Sequence, residues 1–143
     1  MKYKVLKCED YTEHLDFSFY INKCEDESGN IVYRLLARKK GSKIECVLFE
    51  NVIFITFAQI NEEIKSFLMR EIGIILDNKL LNLKLNIRYG IAKYNDYFEV
   101  VDFHGNNSYI AHLGDFDNNY DAMTDNIINY LEDLALNERL NTK

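Results

Sequence analysis

His104 and His112 lie near Asp102 and Asp115 in the chain, and these four are the only grouping of titratable residues suited to acid-base or metal chemistry. Imidazole titrates near neutral pH, and residues two apart share one face of a strand, so Asp102 and His104 lie on one face if their strand extends that far. The segment "HGNN" around His104 is equally an ordinary turn composition. No G-x-S-x-G, P-loop, dinucleotide-binding glycine pattern or H-E-x-x-H is present, and the six glycines are too scattered for a phosphate-cradling loop. No catalytic residue, metal ligand or cofactor is therefore assigned, and a minor metal-dependent hydrolase built on the histidines ranks last among the function classes.

A second chemistry lies in "HLGDFDNNYDAMTDNIINYLEDL", His112 to Leu134, where six acidic side chains and no basic one fall within twenty-three residues. Asp115, Asp117 and Asn119 match positions one, three and five of an EF-hand loop, but position six is Tyr120 instead of glycine and position twelve is Asn126 instead of glutamate. As a capping segment the stretch is sound: Asn118 or Asn119 accepts from exposed backbone N–H groups and Asp121 complements the helix dipole. At 100° per residue, Tyr120, Met123, Ile127, Tyr130, Leu131 and Leu134 share one side of the helix, and Asp121, Asp125, Asn129, Glu132 and Asp133 share the other. Met1 to His112 carries 15 basic and 16 acidic residues, a balance of −1, whereas Leu113 to Lys143 carries 2 and 7, a balance of −5. Such a field attracts a basic surface and repels a nucleic-acid backbone. Asp115, Asp117, Asp121, Asp125, Glu132 and Asp133 thus form the expected protein-binding surface, set against the plainer account of a solvated helix face.

A third set is cationic. Lys84 and Arg88 occupy the polar side of "LNLKLNIRY", and Arg34 and Arg38 one side of "IVYRLLAR". If those two segments are neighbouring strands, the four cations form a patch for a phosphorylated ligand or anionic chain. Scattered Lys and Arg on a wet sheet face otherwise serve solubility.

The elements that must position these residues follow from periodicity. "YKVLKC", "LDFSFYIN", "IVYRLLAR" and "IECVLFENVIFITF" read as antiparallel strands, with period-two alternation in the second and a turn at "EDESGN". From Asn61 the period becomes three to four through Ile64, Phe67, Leu68, Ile72, Ile75 and Leu76, which predicts a helix ending near Asp77 or Asn78. "LNLKLNIRY" alternates cleanly and reads as a strand, followed by "AKYNDYFEVVDF" with a turn at Asn95 and Asp96, by "SYIAHL", and by a helix from about Asn119 to Glu138. The order strands, helix, strands, helix predicts an α+β fold: one antiparallel sheet of six to seven strands with two amphipathic helices on one face, in a single globular domain over residues 1–143.

Length, 48% hydrophobic and 13% aromatic content suit one folded core. No apolar run approaches the eighteen residues of a membrane helix and no secretory leader opens the chain, so the expected location is the cytoplasm, with no membrane partner. Cys8, Cys24 and Cys46 are odd in number and lack C-x-x-C spacing, which fits reduced thiols. Absent proline and tryptophan, with plentiful Asn, Lys, Ile and Tyr, is the bias of A/T-rich codons and points to a low-GC bacterium, a phage or a mobile element.

The favoured expectation is a small, acidic, non-enzymatic binding protein, an inhibitor or immunity-type partner of a basic and nucleic-acid-processing protein, with an anti-CRISPR-like counter-defence role as one version. The alternative is a protein that sequesters a small ligand or nucleotide signal. The acidic helix is not expected to contact nucleic acid directly, and Leu136, apolar on that acidic side, would allow a homodimer.

Overall fold

In the computed structural model, residues 2–105 and 108–141 are described. Asn106 and Asn107, half of the expected turn at His104 to Asn107, lie outside them. The elements run β1 (Lys4–His14), β2 (Phe17–Glu25), β3 (Ile31–Lys39), β4 (Glu45–Val52), α1 (Phe57–Asn82), β5 (Tyr89–Lys93), β6 (Tyr97–Asp102), β7 (Tyr109–His112), a single 3-10 turn at Leu113–Phe116, and α2 (Tyr120–Asn141). The chain is α+β, with all strand pairs antiparallel. The strands do not form the one sheet expected. They form two meanders, β1-β2-β3-β4 and β5-β6-β7, in two compact units, Met1–Phe67 and Leu68–Lys143, whose boundary falls inside α1.

In the first unit β1 and β2 join through a two-residue turn, with Leu15 and Asp16 at φ 52° and 65°. Positive φ at both positions matches the right-handed twist of a tight hairpin, so Leu15 belongs to the turn and not to the alternating strand. The β2–β3 turn is closed by Asp26, whose Oδ1 accepts the N–H groups of Ser28 and Asn30 at 2.9 and 2.8 Å. Phe17 and Phe19 on β2 meet the edge of Phe67 on α1, with ring centroids 5.0 and 5.7 Å apart. The next residues of β2 depart from the expected pattern, because Tyr20, Asn22 and Cys24, on the opposite face, are buried as well. Both faces of the central β2–β3 pair are therefore covered, which a one-face reading of the alternation does not anticipate.

Helix α1 is longer than its pattern suggests, at both ends. It starts at Phe57 because Thr56 and Gln59 cap it reciprocally: Thr56 Oγ1 accepts the Gln59 N–H at 3.2 Å, and Gln59 Oε1 accepts the Thr56 N–H at 2.9 Å. The strand expected to run through "VIFITF" accordingly stops at Val52, and Ile53 and Phe54 are left exposed. Buried Ile60, Ile64, Leu68, Ile72, Leu76 and Leu80 trace one helical stripe.

At the C-terminal end, "LNLKLNIRY" forms no strand. Its first two residues close α1, Lys84 takes φ 60°, the Leu85 N–H donates to the Leu80 carbonyl at 2.9 Å and the Lys84 N–H to that of Leu81 at 3.1 Å. This is a Schellman stop, with Leu80 and Leu85 both buried as its usual apolar pair. The alternating leucines thus serve a helix end and a turn, and β5 begins only at Tyr89.

In the second unit, Phe98, Val100 and Ala111 fill the inner face of the three-stranded sheet. Helix α1 approaches that face closely at Gly73, where a Cβ would stand 3.8 Å from the Phe98 ring. Helix α2 reaches the same face through Tyr130, stacked on Tyr109 of β7 at 4.2 Å and 14°, with the Tyr109 hydroxyl bonded to Asn126. Tyr120, Met123, Ile127, Leu131 and Ala135 supply the buried stripe of α2, while Tyr130 and Leu134 are half-buried.

Candidate functional site

Asp115 lies in the 3-10 turn, and Asp117 and Asn118 follow with φ of 54° and 59°. Short polar side chains tolerate this left-handed region best. Two consecutive left-handed residues reverse the chain into α2, where Asn119 Oδ1 accepts the Ala122 N–H at 3.0 Å as the N-cap. Local chemistry therefore accounts for the asparagines and for the backbone at Asp117.

Asp115, Asp117, Asp121, Asp125, Glu132 and Asp133 are all exposed. Glu132 lies 3.8 Å from Lys79 of α1, a distance at which an exposed pair contributes little. Asp121 has an interaction within the chain. Asp115, Asp117, Asp125 and Asp133 have no ion pair among the described residues, where no group of three His, Cys, Asp or Glu is placed to hold a metal ion either. Leu136, on the same helix, is also exposed.

The four cations expected as one patch rest on different elements. Arg34 and Arg38 lie on β3, Lys84 and Arg88 in the connection from α1 to β5, and the strand that was to carry the second pair does not exist. Arg34 sits over the Tyr3 ring at 4.8 Å and 3.7 Å from Glu50, and Arg38 over Tyr20 at 5.7 Å. Opposite Arg34 in the register is Asn22. The Tyr20 hydroxyl, Asn22 Oδ1 and Arg34 Nε are sealed from solvent and have no hydrogen-bond partner among the described residues. Having no accessible surface, these atoms offer no contact to a ligand in this packing.

Lys84 and Arg88 do come together, for a reason the alternating pattern did not contain. The turn brings both to a groove of about 620 Å³, lined also by Leu85, Ile87, Glu138 and Arg139. Arg88 donates from Nε and Nη2 to the two oxygens of Asp102 at 3.2 and 3.3 Å and from Nη1 to Glu138 at 2.8 Å. The Asp102 carboxyl is held below the usual carboxylate range, first by the Arg88 hydrogen bonds and then by the His104 N–H, 2.9 Å from Oδ1. Arg88 is thus engaged by two carboxylates. The groove also lies where α1 and α2 both end, and the negative ends of two helix dipoles favour cations there without any ligand.

The histidine grouping does not assemble. Asp102 pairs with Tyr89 at one end of β6 and His112 with Tyr97 at the other. Five residues at about 3.3 Å per residue separate those ends by roughly 16 Å. His104 follows Asp102 and contributes its backbone, and the His112 ring packs against Tyr97 at 4.6 Å. What the spacing rules passed over is the aromatic row Tyr94, Tyr97 and His112, with Tyr94 stacked on Tyr97 at 4.4 Å. Its only sequence signal is tyrosines at both ends of the Asn95–Asp96 turn.

The fold and these surfaces define an α+β chain with two antiparallel sheets and two long helices. Comparison with protein-family profiles, curated proteins and solved structures finds no match. Among the described residues no helix is long and apolar enough to cross a membrane.

Proposed function

We propose that the protein works by binding, with the acidic side of α2 and the turn before it engaging a basic protein partner. The observation that supports this is the exposure of all six carboxylates, four of them without an ion pair among the described residues. A field of one sign steers association and selects partners of the opposite sign. An inhibitor or immunity-type protein acting on a nucleic-acid-processing partner fits that electrostatic profile, and an anti-CRISPR-like counter-defence protein of a phage or mobile element is one version. Cytoplasmic action and a homodimer through Leu136 belong to the same proposal.

The second reading is a binder of a small anion in the Arg88 groove, favoured by the meeting of Lys84 and Arg88 there. It is the weaker one, since Asp102 and Glu138 already engage the guanidinium.

Charge reversal at Asp115, Asp125 and Asp133, exposed carboxylates without an ion pair among the described residues and outside the left-handed backbone positions, tests the first reading. The expected result is loss of salt-sensitive binding to a basic protein, with an unchanged far-ultraviolet circular dichroism spectrum and unfolding midpoint. Undiminished binding by the reversed chain would sink it. For the second reading, a thermal shift with nucleotides that disappears in Lys84→Ala would move the assignment to the groove.

A further inference from the structure

The outward face of the β5-β6-β7 sheet carries a row of stacked rings beside a carboxylate. Tyr94, one residue past β5, stacks on Tyr97 of β6 with planes 10° apart, and Tyr97 lies opposite His112 of β7 in the register, so the row crosses the sheet. Both helices of this unit reach the opposite face, through Gly73 beside Phe98 and Tyr130 on Tyr109. The outward face is accordingly open: Tyr94 is 44% exposed, Ile110 46% and Phe103, which follows β6, 60%. No lysine or arginine occupies an outward position of the three strands, whereas Glu99 does, with Oε1 3.5 Å from the Tyr94 hydroxyl. That carboxylate pushes the Tyr94 phenol above its ordinary pKa. At the His112 end, Asp115 follows the row by three residues.

Electron-rich ring faces next to a carboxylate, with no lysine or arginine at the outward strand positions, complement a planar cation. A guanidinium stacks on the ring and pairs two-pronged with the carboxylate, which an ammonium cannot do. We propose that this face is the docking site for an arginine-bearing segment of the basic partner, one guanidinium lying on the Tyr94 end of the row and pairing with Glu99. The proposal rests on the reading of the chain as a binder of basic proteins and adds which side chain of the partner is recognised. Bases of a single-stranded nucleic acid also stack on such rows, but Glu99 and Asp115 repel phosphates.

The test titrates the full chain into fluorescein-labelled nona-arginine and nona-lysine at one fixed ionic strength, reading anisotropy. The expected result is nona-arginine bound about threefold more tightly or better, as a stacked guanidinium implies. Tyr94→Ala and Glu99→Gln each remove that preference and leave nona-lysine affinity within about twofold; neither side chain is in the buried core, and circular dichroism checks the fold. Equal affinities in the native chain, a preference that survives both substitutions, or tighter binding of an oligouridylate would overturn the proposal. Asp125→Lys with Asp133→Lys separates it from its premise. If this pair abolishes binding of both peptides while Tyr94→Ala and Glu99→Gln change nothing, the acidic helix face stands and the ring row falls. If the pair changes neither affinity, the acidic helix face falls, and the ring row is then judged by the arginine preference alone.

Discussion

Arg88 grips Asp102 side-on, with Nε donating to Oδ1 at 3.2 Å and Nη2 to Oδ2 at 3.3 Å. Through Nη1 the same guanidinium reaches Glu138 at 2.8 Å, so one side chain ties the α1–β5 connection to the end of β6 and to α2. The Asp102 side chain is only 10% exposed, and its carboxylate additionally accepts the His104 N–H, which fixes the turn that leaves the strand.

Because Arg88 lowers the Asp102 pKa in the folded state, the unfolded chain binds more protons at this site in acid. The resulting stabilisation is complete above the ordinary carboxylate pKa of about 4 and is lost as pH falls through the depressed value. Arg88→Met therefore lowers the urea midpoint at pH 7 and flattens the acid limb, so that the two chains converge toward pH 2. Acid limbs that run parallel in both chains would contradict this account.

A Cβ at Gly105 would stand 2.6 Å from Asp102 Oδ2, an oxygen already held by Arg88. Gly105→Ala must displace that carboxylate, and it lowers the melting temperature in the same sense as Arg88→Met. The two substitutions remove one network, so the double variant loses less than the sum of the single losses. Strict additivity in a double-mutant cycle would show the contacts to be independent.

Thr56→Ala removes the N-cap of α1 and costs about 0.5 to 2 kcal/mol in urea unfolding, with Thr56→Ser retaining most of it. If alanine and serine behave alike, the reciprocal bond to Gln59 contributes nothing.

Asn22 is buried and its Oδ1 lacks a partner among the described residues. A buried acceptor left unsatisfied costs about 1 to 3 kcal/mol, and replacing it by an apolar group of similar shape removes that cost. Asn22→Val, β-branched and suited to the middle of β2, is expected to leave the thermal midpoint unchanged or raise it. A fall of several degrees would mean that Asn22 makes a bond essential to the sheet.

Periodicity and end signals alone determined the α+β class, the antiparallel strands through β3, the β5–β6 turn, and the amphipathic division of α2 with its Asn119 cap. These features depend on residues within a turn or two of each other, so local sequence carries them. The threonine and glutamine three apart before α1 were equally legible as a capping box, and reading from Asn61 passed over them. At Leu81 to Tyr89 two local patterns competed. Alternation favoured a strand, but Leu76, Leu80 and Leu85 bury their side chains better by extending α1 to a Schellman stop, with Lys84 where glycine usually sits. That outcome depended on packing, as did the division into two sheets, the separation of His104 from His112, the meeting of Arg88 with Asp102 and Glu138, and the alignment of Tyr94, Tyr97 and His112. Each of these joins residues far apart along the chain or fixes which strand faces which, and only the tertiary burial of apolar surface sets such distances.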